Sequence, residues 1–332
     1  MGGRTVAIPF VRAALELARG KGHDTARPLE FAGIPQALLE QDAARVTEAQ
    51  ATRLVQALWY VSDDELIGLG RKPVPRGTFR MMSLAVIHSP DLATALRRLV
   101  DFVEIGMGFQ GVEMEDDGTE VRLSFDPGTD QPTSQQIAAI FMAVFHRFAG
   151  WLISQEITLN SAELPGARPV APVDYALVYG VAPTFGERSA VITFPTRYLS
   201  LPPIRDEAAL DQLLRSSPHA LLFRRAYHPT ATSRVRRILE RSDRPGAVSV
   251  ESAASLLSVS DQHLRRMLRD EGSSFRQLKE DVLRDEAVAG LVRGQETVDA
   301  LARRLGFSEP SAFRRAFRRW TGSPPSTYRA GG

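Results

Sequence analysis

Apolar residues recur at helical spacing in the first hundred positions: Ala51, Leu54, Val55 and Leu58 share one face, and Leu92, Ala95, Leu96 and Leu99 repeat the arrangement. Both stretches predict helices. Between them, the run Arg71, Lys72, Pro73, Val74, Pro75, Arg76 and Gly77 predicts a loop. Residues 6–17 are apolar until Arg12 and Glu16 interrupt them, and so predict a surface helix. From Val112 the pattern alternates through Asp116, Asp117 and Gly118 into residues 121–125, a hairpin signal followed by a strand. Residues 137–153 are apolar nearly all round and predict a buried helix. Ile157, Thr158 and Leu159, and later residues 191–194, predict further strands. Residues 205–223 return to helical spacing. The front of the chain is therefore expected to be an α+β domain over residues 1–224, with a linker of proline and small polar residues at 225–232.

Residues 233–332 carry only helical periodicity. Val235, Ile238 and Leu239 predict a first helix, and Ala253, Ala254, Leu256 and Leu257 a second. Val259 and Ser260 then form a tight turn, with Ser260 as N-cap for residues 261–271 and Gly272 to end that helix. Within it Leu264, Met267 and Leu268 share one arc, while Gln262, Arg265, Arg266 and Arg269 share the opposite one. The arrangement recurs. Val298, Leu301, Ala302 and Leu305 predict a short helix, Gly306, Phe307 and Ser308 a turn, and residues 309–320 a helix capped by Ser308 and ended by Gly322. Phe313, Ala316, Phe317 and Trp320 occupy its inner arc, and Ser311, Arg314, Arg315, Arg318 and Arg319 face outward. Ser274 and Gln277 have capping-box spacing, opening one continuous helix that ends near Arg293 and Gly294. This all-α C-terminal domain thus contains two helix-turn-helix units joined by a linker helix.

Charge sharpens the division. Residues 231–332 hold 19 basic against 13 acidic side chains, whereas the remainder holds 22 against 26. Only Lys21, Lys72 and Lys279 are lysine, so nearly all positive charge is guanidinium, which bonds bidentately to phosphate and guanine. Two arginine faces, each after a short helix and tight turn, predict two helices lying in major grooves. Gln262 and Arg266 in the first helix, with Ser311 and Arg315 in the second, sit where base edges are reached. Arg265, Arg269, Arg314, Arg318 and Arg319 sit nearer phosphate. The absence of cysteine from the sequence excludes disulfide frameworks, thiol nucleophiles and cysteine-ligated metals, and points to the cytoplasm. No apolar run reaches the roughly 20 residues of a membrane span.

Gly306, Phe307, Ser308, Phe313, Phe317, Gly322, Pro325, Tyr328 and Arg329 reproduce the terminal signature of the AraC family of bacterial transcription regulators, which the last 100 or so residues resemble. Ser258 departs from it, since the first turn often carries glycine. The front, through Gly77, Thr78 and Phe79 to Leu99 and Tyr175 to Phe194, resembles the arabinose-binding type of effector domain. The resemblance implies a homodimeric regulator of transcription, an activator working through RNA polymerase, that binds double-stranded DNA under control of a small effector. It also implies that residues 205–223 contribute to the dimer.

Other chemistry is sparse. Gly106, Gly108 and Gly111 match a dinucleotide-binding spacing, but a helix precedes them and a strand follows, the reverse of a phosphate cradle. No nucleophile, base and orienting group assemble into a catalytic set, so no enzyme, cofactor or metal is expected. The alternative is a metabolite-binding or enzymatic front module tethered to DNA by the rear. For the effector, His146 and Arg147 are candidates to hold a carboxylate, and Phe79, Met82, Phe145 and Trp151 to line an apolar pocket.

Overall fold

The computed structural model describes residues 5–68, 72–107, 111–126, 132–167, 179–215, 217, 221 and 230–329. The chain divides into two compact units. One comprises Met1–Glu16, Asp24–Ala57 and His228–Gly332, and the other Leu17–His23 and Leu58–Tyr227.

The N-terminal segment opens with strand β1 (Thr5–Ala7) and helix α1 (Ile8–Gly20), followed by α2 (Ala26–Phe31), β2 (Arg45–Thr47) and α3 (Glu48–Ser62). Val6 and Ala7, read as helical, are instead strand, because β-branched Val6 pairs antiparallel with Val46 and both are buried. As expected, α1 is an amphipathic surface helix: Ile8, Val11, Leu15 and Ala18 recur at the 3.6-residue period and are buried, while Phe10, Glu16 and Arg19 are exposed.

The central unit contains α4 (Thr78–Val86), α5 (Leu92–Met107), β3 (Val112–Asp116), β4 (Glu120–Phe125), α6 (Pro132–Leu152), β5 (Ser161–Pro165), β6 (Thr184–Glu187), β7 (Ala190–Pro195) and α7 (Glu207–Arg215). Its sheet runs β3-β4-β7-β5-β6, antiparallel except for the β5–β6 pair. Inward residues Val121 and Leu123 face Phe194 and Ile192 across the ladder, the period-2 burial that fixes the register. α6 packs on this sheet and buries Ala138, Met142, Phe148 and Leu152. The strand expected at residues 157–159 begins later, at Ser161. The Ile157 carbonyl oxygen is bound by His146 and the Thr158 N–H donates to Tyr198 Oη, so neither is left for a ladder. Of the helix expected over 205–223, Glu207–Arg215 forms α7, whose Leu210 and Leu213 are buried in the unit's own core; residues 216, 218–220, 222 and 223 lie outside the described residues, as do residues 225–229 of the expected linker.

The rear of the chain is helical: α8 (Ala231–Arg241), α9 (Val250–Leu256), α10 (Asp261–Asp270), α11 (Phe275–Arg293), α12 (Val298–Arg304) and α13 (Pro310–Thr321). Val235, Leu239, Ala253, Leu264, Leu268 and Val282 form one core around the first helix-turn-helix. Of the apolar positions that predict α9, Ala253 and Ala254 fill its inward face and Leu256 is 69% exposed. The expectation of a front domain over 1–224 needs revision for its first residues: β1 and β2 pack against α11, within the DNA-binding unit. Among the described residues no helix is long and apolar enough to cross a membrane.

Candidate nucleic-acid interface

Each helix-turn-helix is built from local capping chemistry. Ser249 and Ser252 form a reciprocal capping box at the start of α9. The chain then turns through Ser258, at φ 57°, and Ser260 Oγ accepts from the His263 N–H at 3.2 Å to start α10. In the second unit Thr297 caps α12, and the chain turns through Gly306 at φ 91°. The cap of α13 is Glu309 rather than Ser308, and its side chain makes no capping bond. Pro310 is the cause: the residue before a proline is held extended, and Glu309 sits at φ −126°, ψ 129°.

Leu264 and Leu268 of α10 are fully buried, whereas Gln262, Arg265, Arg266 and Arg269 are exposed. α13 buries Phe313, Ala316 and Phe317 and exposes Ser311, Arg314, Arg315, Arg318 and Arg319. An aromatic bed stiffens α13, with Phe307 edge-on to Phe313 at 5.5 Å and Phe317 edge-on to Tyr328 at 5.1 Å. The arginines differ in how they are held. Arg265 pairs with Glu251 at 3.8 Å, Arg314 with Asp299 at 2.9 Å and Arg319 with Glu280 at 3.5 Å. Arg266 Nη2 lies 3.0 Å from His263 Nδ1. Arg269, Arg315 and Arg318 have no ion pair or hydrogen bond among the described residues.

The two units are joined by the 19 residues of α11, which at 1.5 Å per residue span about 29 Å. Ser274 Oγ accepts from the Gln277 N–H at 3.2 Å, one half of the expected capping box, and Gly294 ends the helix at φ 67°. Asp285 of α11 is buried and accepts from Arg236 Nη2 and Thr5 Oγ1, both at 2.5 Å. Arg236 also bonds Glu240 at 3.0 Å; burial opposes its charge, but Asp285 and Glu240 outweigh that and raise its pKa. Burial and the nearby Arg284 push Arg45 down to about 10, partly offset by Asp285 and Asp281. The Arg45 N–H donates to Tyr328 Oη at 3.1 Å. This network was missed from sequence, although Asp285 and Arg236 interrupt otherwise apolar helix faces and a buried charge requires a partner.

The six residues expected to contact an effector lie in the central unit. Met82, Phe145 and Trp151 are buried in its core and Phe79 packs against it, with Phe79 edge-on to Phe148 at 5.3 Å. His146 Nε2 bonds the Ile157 carbonyl oxygen at 2.7 Å, and burial lowers its pKa to about 4, so the ring is neutral at neutral pH. Arg147 is half-buried. A separate surface cleft of about 690 Å³, lined by Asp91, Asp116, Thr119, Thr196, Arg197 and Ser200 among others, contains none of the six. Of the glycine-rich match, residues 108–110 lie outside the described residues; α5 precedes it and β3 follows.

Two helix-turn-helix units, each presenting an arginine-lined helix and joined by one long helix, define a DNA-binding transcription regulator. More narrowly, the chain belongs to the AraC family: the family model for the N-terminal arabinose-binding domain of AraC transcription regulators matches residues 22–203, and a helix-turn-helix domain model matches 253–331. It is 27% identical to the ornithine utilization regulator of Pseudomonas aeruginosa, over 98% of this chain and 96% of that protein. It is 37% identical to the transcriptional regulator VqsM of the same organism, over 24% of this chain and 25% of that one. Among solved structures it is similar to a DNA-binding transcriptional dual regulator from Escherichia coli, at 25% identity and a TM-score of 0.30, over 31% of this chain and 92% of that one.

Proposed function

We propose that this regulator reads two successive major-groove segments of double-stranded DNA with α10 and α13, under control of a small molecule bound by the front of the chain. The observation that carries the reading is the pair of exposed arginine faces joined by a helix of about 29 Å, close to the roughly 34 Å between major-groove faces on one side of B-DNA. Gln262 and Arg266 reach base edges in one segment, and Ser311 and Arg315 in the next. Arg265, Arg269, Arg314, Arg318 and Arg319 contact phosphate.

The effector is an apolar or carboxylate-bearing small molecule. A relative named for ornithine utilization supports the carboxylate-bearing class. Phe79, Met82, Phe145 and Trp151 supply the apolar surroundings; because His146 is neutral, recognition of a carboxylate falls to Arg147. The protein works in the cytoplasm as a homodimer, catalyses no reaction, and acts through contact with RNA polymerase. Selection of bound sequences from random duplexes by the full chain, repeated with candidate amino acids and other metabolites, tests the reading. Recovery of an asymmetric motif, shifted in affinity by one metabolite class, is expected; recovery of no motif would overturn it.

A further inference from the structure

The two helix-turn-helix units repeat the acid–arginine pair on one flank of the second helix, and they differ at the residue that meets the central arginine. In each unit the second residue of the first helix is acidic and holds an arginine on the flank of the following helix: Glu251 holds Arg265, and Asp299 holds Arg314. Counted from the N-caps Ser260 and Glu309, these arginines are equivalent, as are Arg266 and Arg315 at the centre of each exposed face. Arg266 is held from the other flank by His263, one turn back. The position equivalent to His263 is Ala312, and Arg315 has no partner among the described residues.

We propose that His263 is a positioning residue for DNA reading, which fixes Arg266 for a base edge and makes the first unit the more stringent reader. The inference rests on the reading that Arg266 reaches a base. A guanidinium only donates hydrogen bonds, so in this contact the ring nitrogen Nδ1 is the acceptor. Arg266 spends one of five N–H groups on this contact and keeps enough for the bidentate pair that recognises guanine O6 and N7. A long side chain held before binding loses less freedom on binding, so the gain falls on sites where that pair forms.

The same duplex selection, made with the full chain and its Arg266→Ala, His263→Ala, His263→Asn and His263→Gln variants, tests this. All the substituted side chains are exposed, so the fold is retained, and circular dichroism checks it. Arg266→Ala identifies the base pair read by that arginine. His263→Ala is expected to relax preference at that base pair and weaken the preferred site about two- to tenfold. Binding to random duplex, and preference in the second segment, stay unchanged. Asparagine places an acceptor where Nδ1 stands and should restore the preference; glutamine places its amide at the ε position and should not. Unchanged preference in His263→Ala, an equal loss on random duplex, or rescue by glutamine instead of asparagine would overturn the proposal and leave His263 a phosphate contact. Unchanged preference in Arg266→Ala would overturn it at its premise, while a wild-type protein that selects no motif would overturn the proposed function itself.

Discussion

Thr5 Oγ1 donates a 2.5 Å hydrogen bond to Asp285 Oδ1, joining residues 280 positions apart inside one compact unit. The same carboxylate accepts from Arg236 on its other oxygen. The N-terminal strands are thus fastened to the helix that joins the two reading units. Removing one member of a buried pair leaves the other charge without compensation. Asp285→Ala is expected to cost about 3 kcal/mol in denaturant unfolding of the full chain. Arg45→Met should cost less, because Arg45 approaches Asp285 only to 3.9 Å. Equal, small effects of both would show that the network does not hold the unit together.

His146 makes the stability of the central unit depend on pH. Its pKa is lowered from 6.5 to about 4 by burial, so the unfolded chain takes up a proton over a range where the folded ring does not. Stability is full above pH 6.5 and falls by about 3 kcal/mol as the pH drops to 4, levelling off below that. His146→Gln keeps an Nε2 donor for the Ile157 carbonyl and removes the titration, so its unfolding curve should lose this part of the slope. An unchanged slope would assign the pH dependence to other groups.

The two turns respond oppositely to substitution. Ser258 adopts a left-handed conformation that costs a side chain about 1 to 2 kcal/mol, so Ser258→Gly should be neutral or stabilise by up to about 1 kcal/mol after the added chain entropy. Gly306 has the same handedness and lies against Gly246, where an added Cβ would stand 3.1 Å from the Gly246 Cα. Gly306→Ala should destabilise by about 1 to 3 kcal/mol. Thermal unfolding of the two variants measures the contrast; a stabilising Gly306→Ala would contradict it.

The cationic faces were legible in the sequence because helix periodicity is local: Leu264 and Leu268 buried, Arg266 and Arg269 exposed, follows from spacing alone. The length of α11 followed from Ser274 and Gly294, whose chemistry starts and stops a helix without tertiary help. The attachment of Thr5 and Arg45 to Asp285 was not legible, since a pairing across 280 residues leaves no period. The shift of the α13 cap from Ser308 to Glu309 was readable in principle from Pro310, which restrains the residue before it. For the effector, aromatic spacing on α6 could not separate core from pocket, and Phe145 and Trp151 are buried in the core.

Arg315 and Arg319 should separate reading from attraction. Arg315 is exposed, central and without a partner among the described residues, so Arg315→Ala should cost about 1 to 3 kcal/mol and relax preference at one position only. Arg319 lies at the flank, paired with Glu280, and Arg319→Ala should weaken binding to all sequences and lower the salt slope by about one. Binding titrations at several salt concentrations, on selected and random duplexes, distinguish them. The assignment fails if Arg319→Ala alters sequence preference.

The central claim is that one chain engages two grooves through α10 and α13. Hydroxyl-radical footprinting of the full-length protein on its selected duplex, with the wild type and Arg315→Ala compared, tests it most directly. Two protected segments about one helical turn apart are expected for each protomer, carrying different sequences because the two helices differ. Arg315→Ala should weaken protection in one of them. A single protected segment per protomer would show that only one unit reads DNA and would contradict the account.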